Sequence, residues 1–155
     1  MRAELRTFVD IEATPERVWQ VLTDLPAYAQ WNPFITHAEG TFAVGERLSL
    51  RLPPVNALLR VTLRPTVLEV IPCRRLRLRS RQGRLGMPGL FDAEHTFTLT
   101  QHDGAVRLLE EQRLRGLLVA VMARPLNRRR LPALTAMNAA LKDRSEATSA
   151  TTPPA

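Results

Sequence analysis

The sequence lacks most of the features that announce a chemistry directly. It contains one cysteine, Cys73, in 155 residues, which excludes an intrachain disulfide and a cysteine metal cluster. Cys73 follows Pro72 at a turn with no context that would lower its pKa, and reads as a structural thiol. The histidines, His37, His95 and His102, are scattered and lack metal-ligand spacing, and neither a glycine-rich phosphate loop nor a nucleophile elbow is present. No apolar run approaches the roughly 20 residues that span a bilayer. The opening MRAELRTFVDIEA alternates where a signal peptide would be continuously apolar, so the cytoplasm is the default compartment. Aromatic residues make up 5% of the chain and do not interleave with the basic ones, as single-strand nucleic-acid readers require. Lys142 is the sole lysine, so the net charge of +7 is carried by arginine. That balance permits nucleic acid, an anionic membrane or an acidic partner, and selects none of them.

What remains is a pattern of strands bracketed by helices. Glu4 to Ala13 alternates, with Leu5, Phe8 or Val9, and Ile11 as inward positions. Thr14-Pro15-Glu16-Arg17 then supplies a capping hydroxyl, a proline at the first helical position and an acid in the first turn. That helix should end near Asp24, and Leu25-Pro26 forces a second short helix before Trp31-Asn32-Pro33, where the Asn32 side chain can satisfy a turn. Further strands are predicted over Phe34 to Glu39, Arg47 to Leu52 and Leu59 to Arg64, the last continuing through Val67 to Val70 after a kink at Pro65. From Arg75 to Arg81, Leu76 and Leu78 face one way and the arginines the other. Phe91 to Gln101 and Ala105 to Arg115 flank Asp103-Gly104, a strong hairpin signal. Counting back from that turn sets His95 opposite Gln112 and Phe97 opposite Glu110. Ala93, His95, Phe97 and Leu99 then share a face with Val106, Leu108, Glu110, Gln112 and Leu114.

The rest is organised around Gly116 to Ala147. Leu118, Met122 and Leu126, then Leu134, Met137 and Leu141, recur at helical spacing. Pro125 and Pro132 predict a bend or break near Pro125 and a firm helix from about Pro132 to Arg144. The class is α+β: a curved antiparallel sheet of about seven strands around a long C-terminal helix, with two short helices after the first strand. Residues 1–147 form one domain and 148–155 a flexible tail.

Ile11 to Trp19, Trp31-Asn32-Pro33-Phe34-Ile35, Gly89 to Phe97 and Ala136 to Lys142 together resemble the START-like (SRPBCC, helix-grip) superfamily, and within it the small bacterial polyketide cyclase/dehydrase-like proteins. The resemblance runs from about Arg6 to Ala147 and implies the helix-grip fold. Its relatives include lipid and sterol carriers, hormone receptors and aromatase/cyclases, so it does not name a ligand. Where many relatives carry Glu-x-Phe-x-Gly, this chain reads Gln112-Arg113-Leu114-Arg115-Gly116, with acids displaced to Glu110 and Glu111.

The expected function is binding of an apolar or amphipathic small molecule, a lipid, polyketide or similar, between the sheet and the C-terminal helix, without a cofactor or metal. Leu48, Leu50, Leu59, Val61, Leu76, Leu78, Phe97, Leu108, Met122 and Met137 are the expected walls, and His95, Glu110 and Gln112 the polar contacts. The loop Gly83 to Gly89 is a candidate gate. The bland reading of His95 is a histidine that only hydrogen-bonds to Gln112. Three alternatives stand beside binding: an aromatase/cyclase-type enzyme in which His95 and Glu110 move a proton, an interaction protein offering the arginine face to RNA, ribosome or anionic membrane, and a scaffold whose cavity is filled by its leucines. Binding is favoured over catalysis, and a solvated arginine face over either macromolecular partner.

Overall fold

The computed structural model describes residues 2–53, 61–81, 92–116 and 119–147, with backbone alone at 2 and 120–130. Strand β1 (Arg2–Ile11) leads into helix α1 (Pro15–Thr23), a 3-10 turn (Leu25–Ala27) and the short α2 (Tyr28–Trp31). Thr14 Oγ1 accepts from the Arg17 N–H at 3.2 Å and Pro15 opens the helix, as the sequence predicts. Asn32 Oδ1 then accepts from the backbone N–H groups of Phe34 and Ile35 at 2.8 and 2.9 Å. That side-chain turn keeps Phe34 and Ile35 out of the sheet, so β2 spans only His37–Glu39.

Strands β3 (Ser49–Arg51) and β4 (Thr62–Leu63) complete a three-stranded sheet with β2. After Pro65 come β5 (Thr66–Ile71), β6 (Arg75–Arg81), β7 (Asp92–His102) and β8 (Ala105–Arg115), which join β1 in a five-stranded antiparallel sheet ordered β1-β8-β7-β6-β5. The two sheets are stitched together at β5. The Gly45 N–H donates to Val67 O, Val67 N–H to Glu46 O and Leu48 N–H to Pro65 O, at 2.8–2.9 Å. Among the described residues there are eight strands in a bent pair of sheets, against about seven from alternation.

The β7–β8 turn places Asp103 at φ 45° and Gly104 at φ 80°, the doubly left-handed geometry that matches the strands' twist. His102 therefore faces Ala105, His95 faces Gln112 and Phe97 faces Glu110, in the register predicted from Asp-Gly. In β1 the inward residues are Leu5, Thr7, Val9 and Ile11. Phe8 is exposed, with the Arg107 guanidinium 4.8 Å above its ring.

Helix α3 (Val119–Ala147) is continuous through Pro125, near which the sequence predicts a bend or break. A proline deletes one backbone donor, and the flanking turns of a helix this long hold their own hydrogen bonds. Pro132 lies on the exposed side. Leu134, Met137 and Leu141 are buried on the sheet. The C-terminal half is also tied to β1 and the residue after it by polar contacts: Asn138 Nδ2 to Thr7 Oγ1, Lys142 Nζ to Asp10 O, and Glu12 N–H to Glu146 Oε1, all at 2.8 Å. Among the described residues no helix is long and apolar enough to cross a membrane.

The outer face of the large sheet carries arginine, and carboxylates on neighbouring strands answer much of it. Arg77 lies 2.5 Å from Glu94 and 3.8 Å from Glu69, Arg6 lies 2.9 Å from both Glu4 and Glu111, and Arg107 holds Asp10 through two contacts. Burial alone would raise the Glu94 carboxyl, but the hydrogen bond and charge of Arg77, with Arg79 and Arg115 behind it, hold it below the ordinary carboxylate range. A depressed folded pKa contributes stability above the carboxylate range and loses it as pH falls through the folded value. Arg77→Met is therefore expected to cost roughly 0.5–1 kcal/mol near neutral pH. Urea midpoints of the two proteins should converge in acid, and a difference that persists there would assign the loss to packing.

Candidate functional site

The register lays the inner face of the sheet out in rows. One row reads Ser80, Ala93, Leu114, Ala3; the next Leu78, His95, Gln112, Leu5; the third Leu76, Phe97, Glu110, Thr7. The small side chains of Ser80 and Ala93 in the first row leave the surface unfilled beside His95 and Gln112 of the second. A cavity of about 100 Å³ lies there. Leu76, Leu78, Ser80, Ala93, His95, Phe97 and Gln112 of the sheet form one wall, and Leu134 and Met137 of α3 another. Leu25, Tyr28, Phe34, Ile35, Phe42, Leu48, Leu50, Leu52, Leu63 and Pro65 close the remainder, so the short helices and the small sheet act as its far side.

The lining is apolar except at one end. There His95 Nε2 stands 3.2 Å from Glu110 Oε1, and Glu110 is completely buried. The contact is close enough for charge attraction but falls off the line that a hydrogen bond needs, and both Glu110 oxygens lack a donor. Gln112, 6% exposed, leaves Oε1 without a partner, as does Asn138 Oδ1. Tyr28 is buried, and its hydroxyl donates to Leu22 O at 2.5 Å. Burial first, then the negative charges of Glu110 and Asp24, push its pKa up, so it stays a neutral donor. The His95 ring tilts against Phe97 at 5.4 Å, which fixes the imidazole plane. Among the described residues no group of His, Cys, Asp and Glu could hold a metal ion.

Of the residues singled out in the sequence, Leu48, Leu50, Leu76, Leu78, His95, Phe97, Gln112 and Met137 border this space. Three do not. Leu108 is fully buried in the main core cluster, which also holds Leu141, and does not border the cavity. Val61 is half-buried outside the lining, its carbonyl accepting from the Leu52 N–H. Glu110 sits behind His95 and does not open on the cavity. Leu59, the side chain of Met122 and the Gly83–Gly89 loop lie outside the described residues.

Several lining residues were missed. Ser80 continues the alternation of Leu76 and Leu78, and Leu134 precedes Met137 by three, so both carried a periodic signal. Tyr28, Phe34 and Phe42 come from short helix and loop, where no periodicity marks the inward side.

A family model described as polyketide cyclase / dehydrase and lipid transport matches residues 2–146. Comparison with curated protein sequences finds no significant match. Among solved structures, a START superfamily protein from Mycobacterium smegmatis superposes with a TM-score of 0.68 at 20% identity, covering 94% of this chain and 98% of its own. The di-domain ARO/CYC StfQ from the steffimycin biosynthetic pathway gives 0.77 at 12% identity, over 97% of this chain and 53% of that one. A Thalictrum norcoclaurine synthase point mutant, in complex with a transition-state analogue, gives 0.72 at 12% identity over 96% and 97%. At these identities the likeness establishes the helix-grip fold.

Proposed function

Because the chain belongs to the polyketide cyclase/dehydrase and lipid transport family, and its largely apolar cavity has one polar end, we propose that it binds an amphipathic small molecule between the sheet and α3. The cavity carries the reading: a mostly hydrophobic concavity with a few convergent polar groups is the usual form of a small-molecule site. Its volume of about 100 Å³ suits a compact ring better than a long acyl chain. Burial of apolar surface supplies the affinity, and His95 with Gln112 orients the polar end.

Native mass spectrometry of freshly purified protein, followed by denaturing extraction, tests this. A small molecule bound in a defined ratio is expected. A clean ligand-free mass, together with no uptake of small aromatic probes, would count against the reading.

The His95–Glu110 contact favours a second reading, cyclase or dehydrase chemistry. A buried carboxylate beside one imidazole nitrogen leaves the other free to take or return a proton. Conversion of the extracted molecule by the wild type but not by His95→Ala would support it, and unchanged turnover in that variant would remove it.

A further inference from the structure

On the outer face the register continues from the large sheet onto the small one, and the ion pairs do not. Arg47 bridges Thr66, which pairs in turn with Arg79, and Arg51 pairs with Thr62. Counting along the same two ladders puts Ser49 and Arg81 on either side of Arg64. The residues that alternate with these, Leu48, Leu50, Leu63, Pro65 and Leu78, line the cavity, so the arginines stand on the outside of its wall. Arg47, Arg51, Arg64 and Arg81 are exposed, and none of them forms an ion pair among the described residues. Asp92 faces Arg81 in register without pairing with it, and Arg79 reaches Glu94 only at 3.7 Å. Glu94 at one rim is held by Arg77, and Glu39 at the other by His37. Between the rims the guanidinium groups are interleaved with the hydroxyls of Ser49, Thr62 and Thr66.

We propose that this patch docks the protein on an anionic phospholipid membrane, its guanidinium and hydroxyl groups meeting the headgroup phosphates. Both group types match phosphate oxygens, and the arginine fork does so with two parallel hydrogen bonds. A nucleic acid offers the same oxygens, but the surroundings favour the bilayer. Val44, 68% exposed, lies in the loop that leads into Arg47, where an interface takes an apolar side chain and a phosphodiester backbone has no use for one. No Phe, Tyr or Trp stands among the patch residues to stack a base. The same wall carries the cavity on its inner side, and an amphipathic ligand collects in bilayers, so docking here sets the wall against the ligand's source. Only this last point rests on the binding reading.

Flotation of the full chain with vesicles tests the proposal. Vesicles of phosphatidylcholine mixed with phosphatidylglycerol are expected to bind at least about tenfold more protein than phosphatidylcholine alone at low salt, and the difference should fade as salt rises. The double variant Arg47→Gln/Arg64→Gln should bind the anionic vesicles roughly 25-fold less tightly, since each arginine near such a surface is worth about fivefold. Arg74→Gln/Arg75→Gln removes the same charge at the β5–β6 turn, outside the patch, and should stay within about threefold of the wild type. These four side chains are exposed and form no ion pair among the described residues, so neither variant loses a folded contact. Equal binding to both kinds of vesicle, or equal losses in the two variants, would overturn the proposal. A wild type that ignores anionic vesicles yet binds a short RNA duplex through Arg47 and Arg64 would assign the patch to nucleic acid and overturn the membrane. None of these outcomes bears on the cavity reading, which native mass spectrometry decides separately.

Discussion

Leu141→Ala is expected to destabilise the protein by about 3–4 kcal/mol, near the middle of the range for removing a buried leucine. Leu141 is 1% exposed and belongs to the same buried core cluster as Ile11, Val106 and Leu108. The polar ties from Asn138, Lys142 and Glu146 fix the helix beside it, so neighbouring side chains cannot collapse into the void. For a chain of this length the loss corresponds to a fall in Tm on the order of 10 °C. Leu131→Ala on the same helix serves as the control. Leu131 is 42% exposed, and its truncation should stay within roughly 0.5 kcal/mol. Equal losses in urea denaturation would mean that α3 does not dock through the face described.

Glu110→Gln is expected to move stability the other way, by about 1–3 kcal/mol in the ligand-free protein. The carboxylate is wholly buried and receives no aligned donor. Glutamine keeps the volume, removes the charge and offers an amide N–H toward His95 Nε2. The opposite result has a definite meaning. A loss of about 3–5 kcal/mol would show that His95 and Glu110 form a tight buried ion pair, and the bare acceptors would then be fewer than the geometry indicates. A gain would mark Glu110 as a residue kept at the expense of stability, as functional groups often are.

How much of this was legible in the sequence depended on whether the signal was local. Asp103-Gly104 dictates a two-residue turn, and every pairing from His102–Ala105 to Asp92–Arg115 follows by counting, so the His95–Gln112 opposition could be read from the chain. Thr14-Pro15 carried the start of α1 in the same way. The small sheet was harder, because strands of two or three residues repeat the alternation too few times to fix their ends. Phe34 and Ile35 look like strand residues, yet the Asn32 side chain takes their N–H groups. Proline at 125 argued for a break, and a local rule cannot weigh the cooperativity of a 29-residue helix. For the candidate site, the alternation of β6 and β7 was sufficient, whereas Tyr28 reaches the cavity only through the angle between α2 and the sheet. Glu110 illustrates the remaining gap: alternation gives the face of a residue but not its depth.

The pairing of β1 with β8 bears on how the chain reaches this state. Partners such as Ile11 and Val106 lie about a hundred residues apart, so the encounter that joins them has a high entropic cost and slows folding. The β7–β8 ribbon closes through a tight local turn and can form early, presenting the edge on which β1 later lands. Until β8 exists, β1 has an unsatisfied backbone and a row of apolar side chains exposed to any other strand nearby. Its outward charges, Glu4, Arg6 and Asp10, then serve a second purpose as gatekeepers that discourage wrong pairings during synthesis.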